Sequence, residues 1–268
     1  MLRALDRTGL EFELPRLLGF SAPHGALAIE WAPRARSLHA IQVRRRGLPL
    51  RLARPLGEAL ASLHASAPGT LIATESCAEL VRCLAWPTVA WYSSLNPASV
   101  SMLSRVQQAP GALEALVSLA EAAANARLSR PVHGDFRHAN LLRRGKKWLW
   151  VDWELAGLSD PAADLGAAFG EALGTMVAPR FSSEALSRRG TEAWLSSLWE
   201  GYRGRAGADE TFGLRALQWA GEALLRRVYS QTHYDSYFDQ NSGHLIDAAL
   251  ELLIRPRAWR ARLLESRR

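Results

Sequence analysis

The chain has 268 residues, 48% hydrophobic and 22% charged, so it can bury a sizeable core and has the composition of an ordinary globular protein. That composition excludes a disordered or collagen-like chain. Residues 1–15 lack the apolar run of a signal peptide, and no stretch reaches the roughly 18 apolar residues of a membrane span, so we expect a cytoplasmic protein with no membrane partner.

The net charge is +7, and every basic residue except Lys146 and Lys147 is an arginine, a bias that a GC-rich coding sequence would produce. A basic surface could serve a nucleotide or an acidic peptide. The run Arg44 to Arg46 has no interleaved aromatic residues and no recognition-helix pattern, so we expect no nucleic-acid partner. Cys77 and Cys83 match neither a disulfide framework nor a metal site and are interpreted as buried, inert thiols.

The N-terminal part predicts a hairpin followed by a helix. Residues 10–33 read as two short strands around the turn SAPHG, and the second strand is ALAIEW. After a loop, leucines recur on one face of an amphipathic helix from Leu52 to His64, with Pro55 in its first turn. Residues 66–104 are rich in Ser, Pro and Ala and predict no clear element.

The second half predicts one hairpin among helices. A helix opens at Pro110 and ends before Pro131. The segments NLL, RRGKK and WLWV then read as a tight hairpin that carries Asp152 at its far end. Asp160 caps a helix that runs to about Leu173. Later helices follow by their period: Ser182 or Ser183 to Tyr202, Phe212 to Tyr229, and Leu245 to Ile254.

Three polar residues beside this hairpin carry the strongest functional signal. HGDFRHANLL places Asp135 and Asn140 five positions apart, and DWE places Asp152 after an apolar strand. Oxygen ligands of this kind suit Mg²⁺ with a nucleotide, and Asp135 could accept a proton from a hydroxyl nucleophile. Each residue alone is better explained as a turn or strand-end residue. Their combination favours phosphoryl transfer.

The linked segments PVHGDFRHANLL and VDWELAGLSDPAADLG resemble the aminoglycoside phosphotransferase and choline kinase group, which has a protein-kinase-like fold. The resemblance implies that Asp135 is the catalytic base, that Asn140 and Asp152 hold Mg²⁺, and that Asp164 braces the catalytic loop. It also implies that LAIEWAP contains the hinge whose backbone binds the adenine of ATP, formed by Glu30, Trp31 and Ala32.

Neighbouring residues have two interpretations each. Arg137 could place a cation on the transferring phosphate or be an ordinary surface arginine, and both remain open. We expect His133 to be a packed, hydrogen-bonded loop residue rather than a base. Asp160 is expected to cap a helix, whereas Asp164 lies within an apolar run and requires a buried partner.

The resemblance predicts an α+β, protein-kinase-like fold with a truncated N-terminal lobe. Residues 1–33 would be a remnant of that lobe with the hinge, and residues 34–268 a mainly α-helical C-terminal catalytic lobe. The glycine-rich hairpin, strand lysine and helix glutamate of such kinases are not visible in the sequence. We therefore expect a misplaced gene start, a protein partner or homo-oligomer that completes the lobe, or weak nucleotide binding.

The predicted function is an ATP- and Mg²⁺-dependent phosphotransferase that moves the γ-phosphate to a hydroxyl of a small molecule or of Ser/Thr in a biosynthetic precursor peptide. The peptide option rests on a looser similarity of SVSMLSRVQQAPGALEAL, LLRRVYSQ and LELLIRP to kinases of ribosomal-peptide biosynthesis. Polycationic aminoglycosides suit a basic chain less well. The alternative is a catalytically weak or inactive kinase-like binding module that needs a partner.

Overall fold

The computed structural model describes residues 10–67, 71–74, 78–125, 127–179, 186–234, 236 and 238–264. Within these ranges the chain combines short strands with a mainly helical body. None of the helices described there is long and apolar enough to cross a membrane.

The described strands lie before and between the helices. Their bounds are β1 (Phe12–Glu13), β2 (Leu17–Ser21), β3 (Ala26–Ile29), β4 (Arg36–Ser37), β5 (Arg130–Val132), β6 (Leu141–Arg144), β7 (Lys147–Trp150) and β8 (Gly157–Ser159). The described helices are α1 (Leu38–Arg45), α2 (Leu50–His64), α3 (Glu79–Ala85), α4 (Val89–Ser93), α5 (Pro97–Gln108), α6 (Ala112–Ala124), α7 (Ala162–Val177), α8 (Arg188–Ala206), α9 (Glu210–Tyr234), α10 (Gln240–Ile254) and α11 (Pro256–Leu263).

The β6–β7 hairpin is the centre of a four-stranded mixed sheet of order β1-β7-β6-β4. Leu141 pairs with Trp150 at its open end, and Arg144 pairs with Lys147 at its tip. Strand β1 adds in parallel to β7, and β4 adds antiparallel to β6. The β2–β3 hairpin is a separate two-stranded sheet, and β5–β8 is another. The residues that flank Leu141 and Trp150, Asn140 and Val151, therefore lie next to each other at the open end of the hairpin.

Close helix packing builds the body of the molecule. Helix α2 contacts α8, and α7 contacts α9. A Cβ on Gly57 of α2 would overlap the Leu198 carbonyl oxygen of α8, and one on Gly201 of α8 would overlap the Arg54 carbonyl oxygen of α2. Only glycine allows backbones to approach this closely, so these two positions fix the α2–α8 contact.

Most of the elements predicted from the sequence are present. The β2–β3 and β6–β7 hairpins form, and the amphipathic helix is α2, which begins two residues earlier than predicted, at Leu50. The strand predicted as ALAIEW ends at Ile29, and α7 continues past Leu173 to Val177. The tryptophans of the second hairpin are buried, as its apolar strands require.

Several elements differ from prediction. The expected loop after β3 contains α1, which Ser37 caps by accepting a hydrogen bond from the Ala40 amide. Residues 66–104 contain α3, α4 and the start of α5, which Asn96 caps ahead of a proline at its first position. Helix α10 ends at Ile254 as predicted, and Pro256 opens a further helix, α11, that was not predicted. Side-chain caps mark the starts of α1, α4 and α5, whereas α3 and α11 begin without one.

Some predictions fall outside the described residues. Residues 1–9 of the predicted lobe remnant lie there, as do Cys77 and the predicted helix start at Ser182 or Ser183. The described part of that helix, α8, is capped by Ser187. The predicted boundary between residues 33 and 34 stays a prediction.

Candidate active site

Asp164, in the first turn of α7, holds the backbone of the loop between β5 and β6. Its Oδ2 accepts hydrogen bonds from the His133 amide at 2.7 Å and its Oδ1 from the Gly134 amide at 3.0 Å. His64 Nε2 lies 3.2 Å from the same Oδ2, and Tyr202 supports the other side of the His64 ring at 2.8 Å. The buried partner that the sequence required for Asp164 is therefore this set of two amides and one histidine.

Gly134 lets the loop turn sharply after β5. Its φ is +81°, and a Cβ there would overlap the carbonyl oxygen of Leu155. A side chain at this position would push the loop away from the residues that follow Asp152, so glycine is required both for conformation and for space.

His133 is a buried structural residue of this loop, as predicted from the sequence. Its Nε2 bonds the Val151 carbonyl at 2.9 Å, and its Nδ1 lies 3.3 Å from the Asp135 amide. The carbonyl requires a proton on Nε2 and the amide requires a lone pair on Nδ1, so the ring is the neutral Nε2–H tautomer. Burial also lowers the pKa of His133. The ring thus ties the loop to the strand end beside Asp152.

The structure brings Asp135, Asn140 and Arg137 into direct contact. Asn140 Nδ2 donates to Asp135 Oδ2 at 2.7 Å and to the Asp135 carbonyl at 3.0 Å. Arg137 Nε pairs with the same Oδ2 at 2.9 Å, and its NH2 reaches Asp152 Oδ2 at 3.8 Å. Arg137 is therefore a cation between the two carboxylates and not an isolated surface arginine.

Asp152 occupies an unusual backbone conformation at the end of β7. Its φ is +66°, in the left-handed region that few residues other than glycine adopt. The preceding amide, Val151 N, donates to the Asn140 carbonyl at 3.1 Å, which joins the two hairpin ends. Asp152 is less buried than Asn140, so its carboxylate is the more accessible oxygen donor of the pair.

This donor set fits Mg²⁺. Both Nδ2 protons of Asn140 are directed at Asp135, which leaves Oδ1 as the amide oxygen available to a cation. The Asp152 carboxylate is the second oxygen donor, and hard cations prefer oxygen. The described residues contain no group of three or more His, Cys, Asp or Glu that could enclose a metal ion, so water and phosphate oxygens would complete the coordination.

The predicted hinge residues lie at the end of β3, away from this cluster. Glu30 pairs with Arg144 at the tip of the β6–β7 hairpin at 3.1 Å, and the Glu30 amide donates to the Arg16 carbonyl. The hydrogen bonds from Arg144 lower the pKa of both Glu13 and Glu30. Trp31 is 83% exposed, and Ala32 accepts a turn hydrogen bond from Ala35.

A cleft of about 560 Å³ opens beside Asp135. It runs between the loop that joins β5 to β6 and the helices α7 and α9, and Glu171 and Glu222 line it together with Arg226 and Arg227. Glu222 is buried and pairs with Arg226 at 2.8 Å, and burial raises its pKa. Charged groups of both signs therefore face the space next to Asp135.

Sequence reasoning missed the residues that support the loop from a distance. His64 and Tyr202 lie 100 and 38 residues from Asp164 along the chain, and no local pattern links them to it. Asp160 was predicted as the helix cap, but the cap position of α7 is Pro161. Asp160 Oδ1 accepts a hydrogen bond from the Ala162 amide, and its Oδ2 accepts from Arg215 and Trp219 of α9. Side chains on distant helices reach the site only through the packing of those helices, which the sequence does not show.

Comparison with known proteins agrees with this architecture. The model of a phosphotransferase enzyme family, APH, matches residues 1–211. A comparison with curated proteins found no match.

Solved structures of several kinases share the fold. A choline/ethanolamine kinase family protein from Mesorhizobium loti aligns with a TM-score of 0.59 at 20% identity, over 92% of this chain and 76% of that one. A glucosamine kinase aligns with a TM-score of 0.58 at 18% identity, over 92% of this chain and 67% of that one. A thermostable mutant of aminoglycoside phosphotransferase APH(4)-Ia aligns with a TM-score of 0.56 at 16% identity, over 96% of this chain and 81% of that one. These likenesses confirm the α+β, protein-kinase-like fold expected from the sequence.

Proposed function

This chain belongs to the APH phosphotransferase enzyme family, and on that premise we propose that it is an ATP- and Mg²⁺-dependent kinase with a hydroxyl group as acceptor. It would act in the cytoplasm. The observation that carries the proposal is the contact of Asp135 with Asn140 and Arg137, held in place by the buried anchor at Asp164. The three groups meet the needs of phosphoryl transfer: a base, oxygen ligands for a cation, and a positive charge near the transferring group.

Asp135 is the base in this proposal. Its Oδ2 already accepts from Asn140 and Arg137, and its Oδ1 accepts no hydrogen bond from the described residues. Oδ1 is therefore the atom that would receive the proton of the acceptor hydroxyl. The side chain is 23% exposed and borders the cleft, so an acceptor can reach it.

Asn140 and Asp152 would hold Mg²⁺ through Oδ1 of the amide and the carboxylate. The ion, when bound, neutralises the phosphate charge that develops during transfer. Arg137 already lies between Asp135 and Asp152, and its guanidinium can exchange a carboxylate for a phosphate oxygen at little cost because it is half exposed. In this role it would neutralise the transferring group. The backbone of Glu30, Trp31 and Ala32 would bind the adenine.

The cleft beside Asp135 supports a small-molecule acceptor. Its volume of about 560 Å³ lies within the usual range for small-molecule sites. The solved structures that share this fold include a choline/ethanolamine kinase family protein, a glucosamine kinase and an aminoglycoside phosphotransferase, names that refer to small-molecule acceptors. A Ser or Thr side chain of a precursor peptide is the second acceptor that we propose, because an extended peptide could insert that one side chain into the cleft.

Two substitutions separate the roles. Asp135→Asn should abolish phosphate transfer and leave ATP affinity nearly unchanged, because the base acts on the acceptor. Asp152→Ala should weaken Mg²⁺-dependent ATP binding. Isothermal titration with ATP in the presence and absence of Mg²⁺, followed by turnover with a panel of amino alcohols and hydroxyl-bearing peptides, measures both. Asp247→Asn, on an exposed carboxylate of α10, is the control. Equal loss of ATP affinity in both site variants would contradict the assignment.

A kinase-like binding module is the second candidate. The observation in its favour is that the two lysines of this sequence lie at the hairpin tip, where Lys147 pairs with Glu13 at 3.1 Å. The β2–β3 hairpin also exposes apolar side chains on which a protein partner or a second copy could dock. Tight ATP binding without turnover by the purified chain, and turnover restored by a second protein, would favour this candidate.

A further inference from the structure

A second cleft, distinct from the one beside Asp135, is lined mainly by cations, which make up seven of its twelve lining residues. Its volume is about 870 Å³, and it lies between α1, the start of α2, β4 and the tip of the β6–β7 hairpin. Five exposed or half-exposed arginines line it: Arg34, Arg36, Arg44, Arg45 and Arg51. The hairpin adds Arg143 and Lys146, and no acidic residue lines the cleft. We call it the basic cleft.

The number of cations in the basic cleft equals the excess of basic over acidic residues in the whole sequence. The sequence has 33 basic residues and 26 acidic ones. When the seven cations of the basic cleft are set aside, the remaining 26 basic residues balance the 26 acidic ones. A coding bias toward arginine does not by itself explain why seven cations and no acidic residue line one concave site.

These cations lack partners in the described part of the chain. None of the seven forms an ion pair with a carboxylate there, whereas Arg144 and Lys147, their neighbours on the same hairpin, both pair with Glu13. Arg143 is half buried over the Trp148 ring, and burial together with the charge of Arg51 lowers its pKa. The site thus holds like charges together at an electrostatic cost that an anion would relieve.

The position of the basic cleft separates it from the phosphate-transfer site. The two clefts have no lining residue in common. Arg143 and Lys146 belong to the tip of the hairpin, whereas Asn140 and Asp152 flank its open end. Helix α2 begins in the basic cleft with no acid in its first turn and no side-chain cap, so its dipole adds to the positive potential.

The lining also restricts the chemistry of the ligand. The charged groups are hydrogen-bond donors only, and the apolar residues between them are Ile41, Leu52 and two prolines. No aromatic residue lines the cleft, so it offers no surface on which a base could stack. Cations that converge on one cavity from several elements suit a compact ligand of high charge density better than an extended chain.

We propose that the basic cleft is a binding site for a compact polyphosphate, a small molecule that carries several phosphate groups. Guanidinium groups bind phosphate oxygens through paired, charge-assisted hydrogen bonds, and several of them can act on one ligand here. The volume of about 870 Å³ is in the range of small-molecule sites. Such a ligand would add a regulatory or anchoring contact outside the cleft beside Asp135.

Titration calorimetry of the full chain tests this proposal with inositol hexakisphosphate and tripolyphosphate, which represent organic and inorganic polyphosphates. The triple variant Arg44→Gln, Arg45→Gln, Arg51→Gln removes three exposed charges from the cleft. At about 0.15 M salt we expect it to lose affinity about tenfold or more. The matched control is Arg127→Gln, Arg189→Gln, Arg203→Gln, which removes three exposed arginines outside the cleft and should change affinity less than about twofold.

The two lysines provide an internal reference for the position of the ligand. Lys146 lines the basic cleft. Its neighbour Lys147 lies outside the lining and pairs with Glu13. Inositol hexakisphosphate should protect Lys146 from an amine-reactive reagent and leave Lys147 unprotected, as measured by mass spectrometry of the labelled peptides.

Three outcomes would overturn the proposal. Equal loss of affinity in the two triple variants would show that net charge alone attracts the ligand. Equal protection of both lysines would place the ligand elsewhere. Tighter binding of a polyglutamate peptide or a short DNA duplex than of either polyphosphate would assign the cleft to an acidic peptide or a nucleic acid. Because none of these tests depends on Asp135, Asn140 or Asp152, they are independent of the kinase assignment.

Discussion

The loop between β5 and β6 and the β2–β3 hairpin differ in how far their side chains are buried and hydrogen-bonded. His133 of the loop and Asp164, which anchors the loop from α7, are buried, and their polar atoms have protein partners. In the hairpin, Phe20 is 69% exposed and Leu27 is 60% exposed, and the salt bridge from Glu30 to Arg144 is partly open to solvent. The fold of the chain therefore fixes the groups around Asp135 much more firmly than it fixes the hairpin.

This contrast separates two requirements of a kinase. Positioning a base against a phosphate needs side chains held to within a fraction of an ångström, which buried hydrogen bonds provide. Binding a nucleotide or a partner can use a surface that is completed on association. We expect substitutions in and around the loop to affect stability strongly and substitutions in the hairpin to affect it weakly.

Asp164→Ala should have the largest effect. It leaves two buried amides and His64 without their acceptor, and we expect the free energy of unfolding to fall by about 3–5 kcal/mol. Urea denaturation measures the change. As a control, Asp247→Ala removes an exposed carboxylate that pairs with Arg105 and should cost less than about 1 kcal/mol. Similar losses in the two variants would show that Asp164 is not the anchor of the loop.

His138, also in the loop, should make stability depend on pH. It is buried, and burial lowers its pKa to about 4, against weaker opposing effects of Glu171. As the pH falls below about 6.5, the unfolded chain takes up a proton on this ring and the folded chain does not. The contribution of neutral, buried His138 to the free energy of unfolding is therefore complete above pH 6.5 and is lost as the pH falls toward 4.

The expected size of this effect is about 3 kcal/mol, since one pKa unit corresponds to about 1.4 kcal/mol. His138→Leu should flatten the decline in unfolding free energy between pH 6.5 and 4, as measured by urea denaturation at several pH values. His24 lies exposed in the turn of the β2–β3 hairpin, and His24→Leu should leave the decline unchanged. An unchanged decline in His138→Leu would contradict the prediction.

Gly201→Ala tests the contact between α2 and α8, the helices whose residues support Asp164. The new Cβ would overlap the Arg54 carbonyl of α2, the helix that supplies His64, while Gly201 itself lies on α8, which supplies Tyr202. We expect the free energy of unfolding to fall by about 1–3 kcal/mol. Gly204 lies one turn further along α8 with open space around it. Gly204→Ala should therefore raise stability by about 0.5–1 kcal/mol through helix propensity. Thermal unfolding compares the pair, and a change of the same sign in both would refute the close contact.

Phe20→Ala should have the smallest effect. The side chain is largely exposed on β2, so we expect a change in unfolding free energy within about 0.5 kcal/mol. Phe12 on β1 is the matched control, because it is 6% exposed and stacks on Trp150 with 3.7 Å between ring centroids. Phe12→Ala should cost about 3–5 kcal/mol. A large loss for Phe20→Ala would mean that the hairpin face is covered in solution, for example by a second copy of the chain.

The sequence by itself determined the local features of this protein. Asp135 and Asn140 are close because a short turn joins them, and Asp152 follows a strand whose alternation and turn residues predict the hairpin. Spacing of a few residues fixes such geometry through backbone hydrogen bonds, so the contacts of the candidate site could be predicted without coordinates. The family was predicted from the resemblance of the two motif segments to a known group. Caps that were present in the sequence, such as Asn96 before Pro97, could also have located helices that the apolar period missed.

Only the tertiary structure decided which distant residues support and surround that site. The contacts of Asp164 with His64, and of His64 with Tyr202, join segments 100 and 138 residues apart. The basic cleft likewise collects charges from residues 34–51 and 143–146, which the sequence shows only as scattered arginines. Side chains on packed helices and paired strands become neighbours through burial of apolar surface, which is not directional, so one sequence predicts that they are buried but not what they contact.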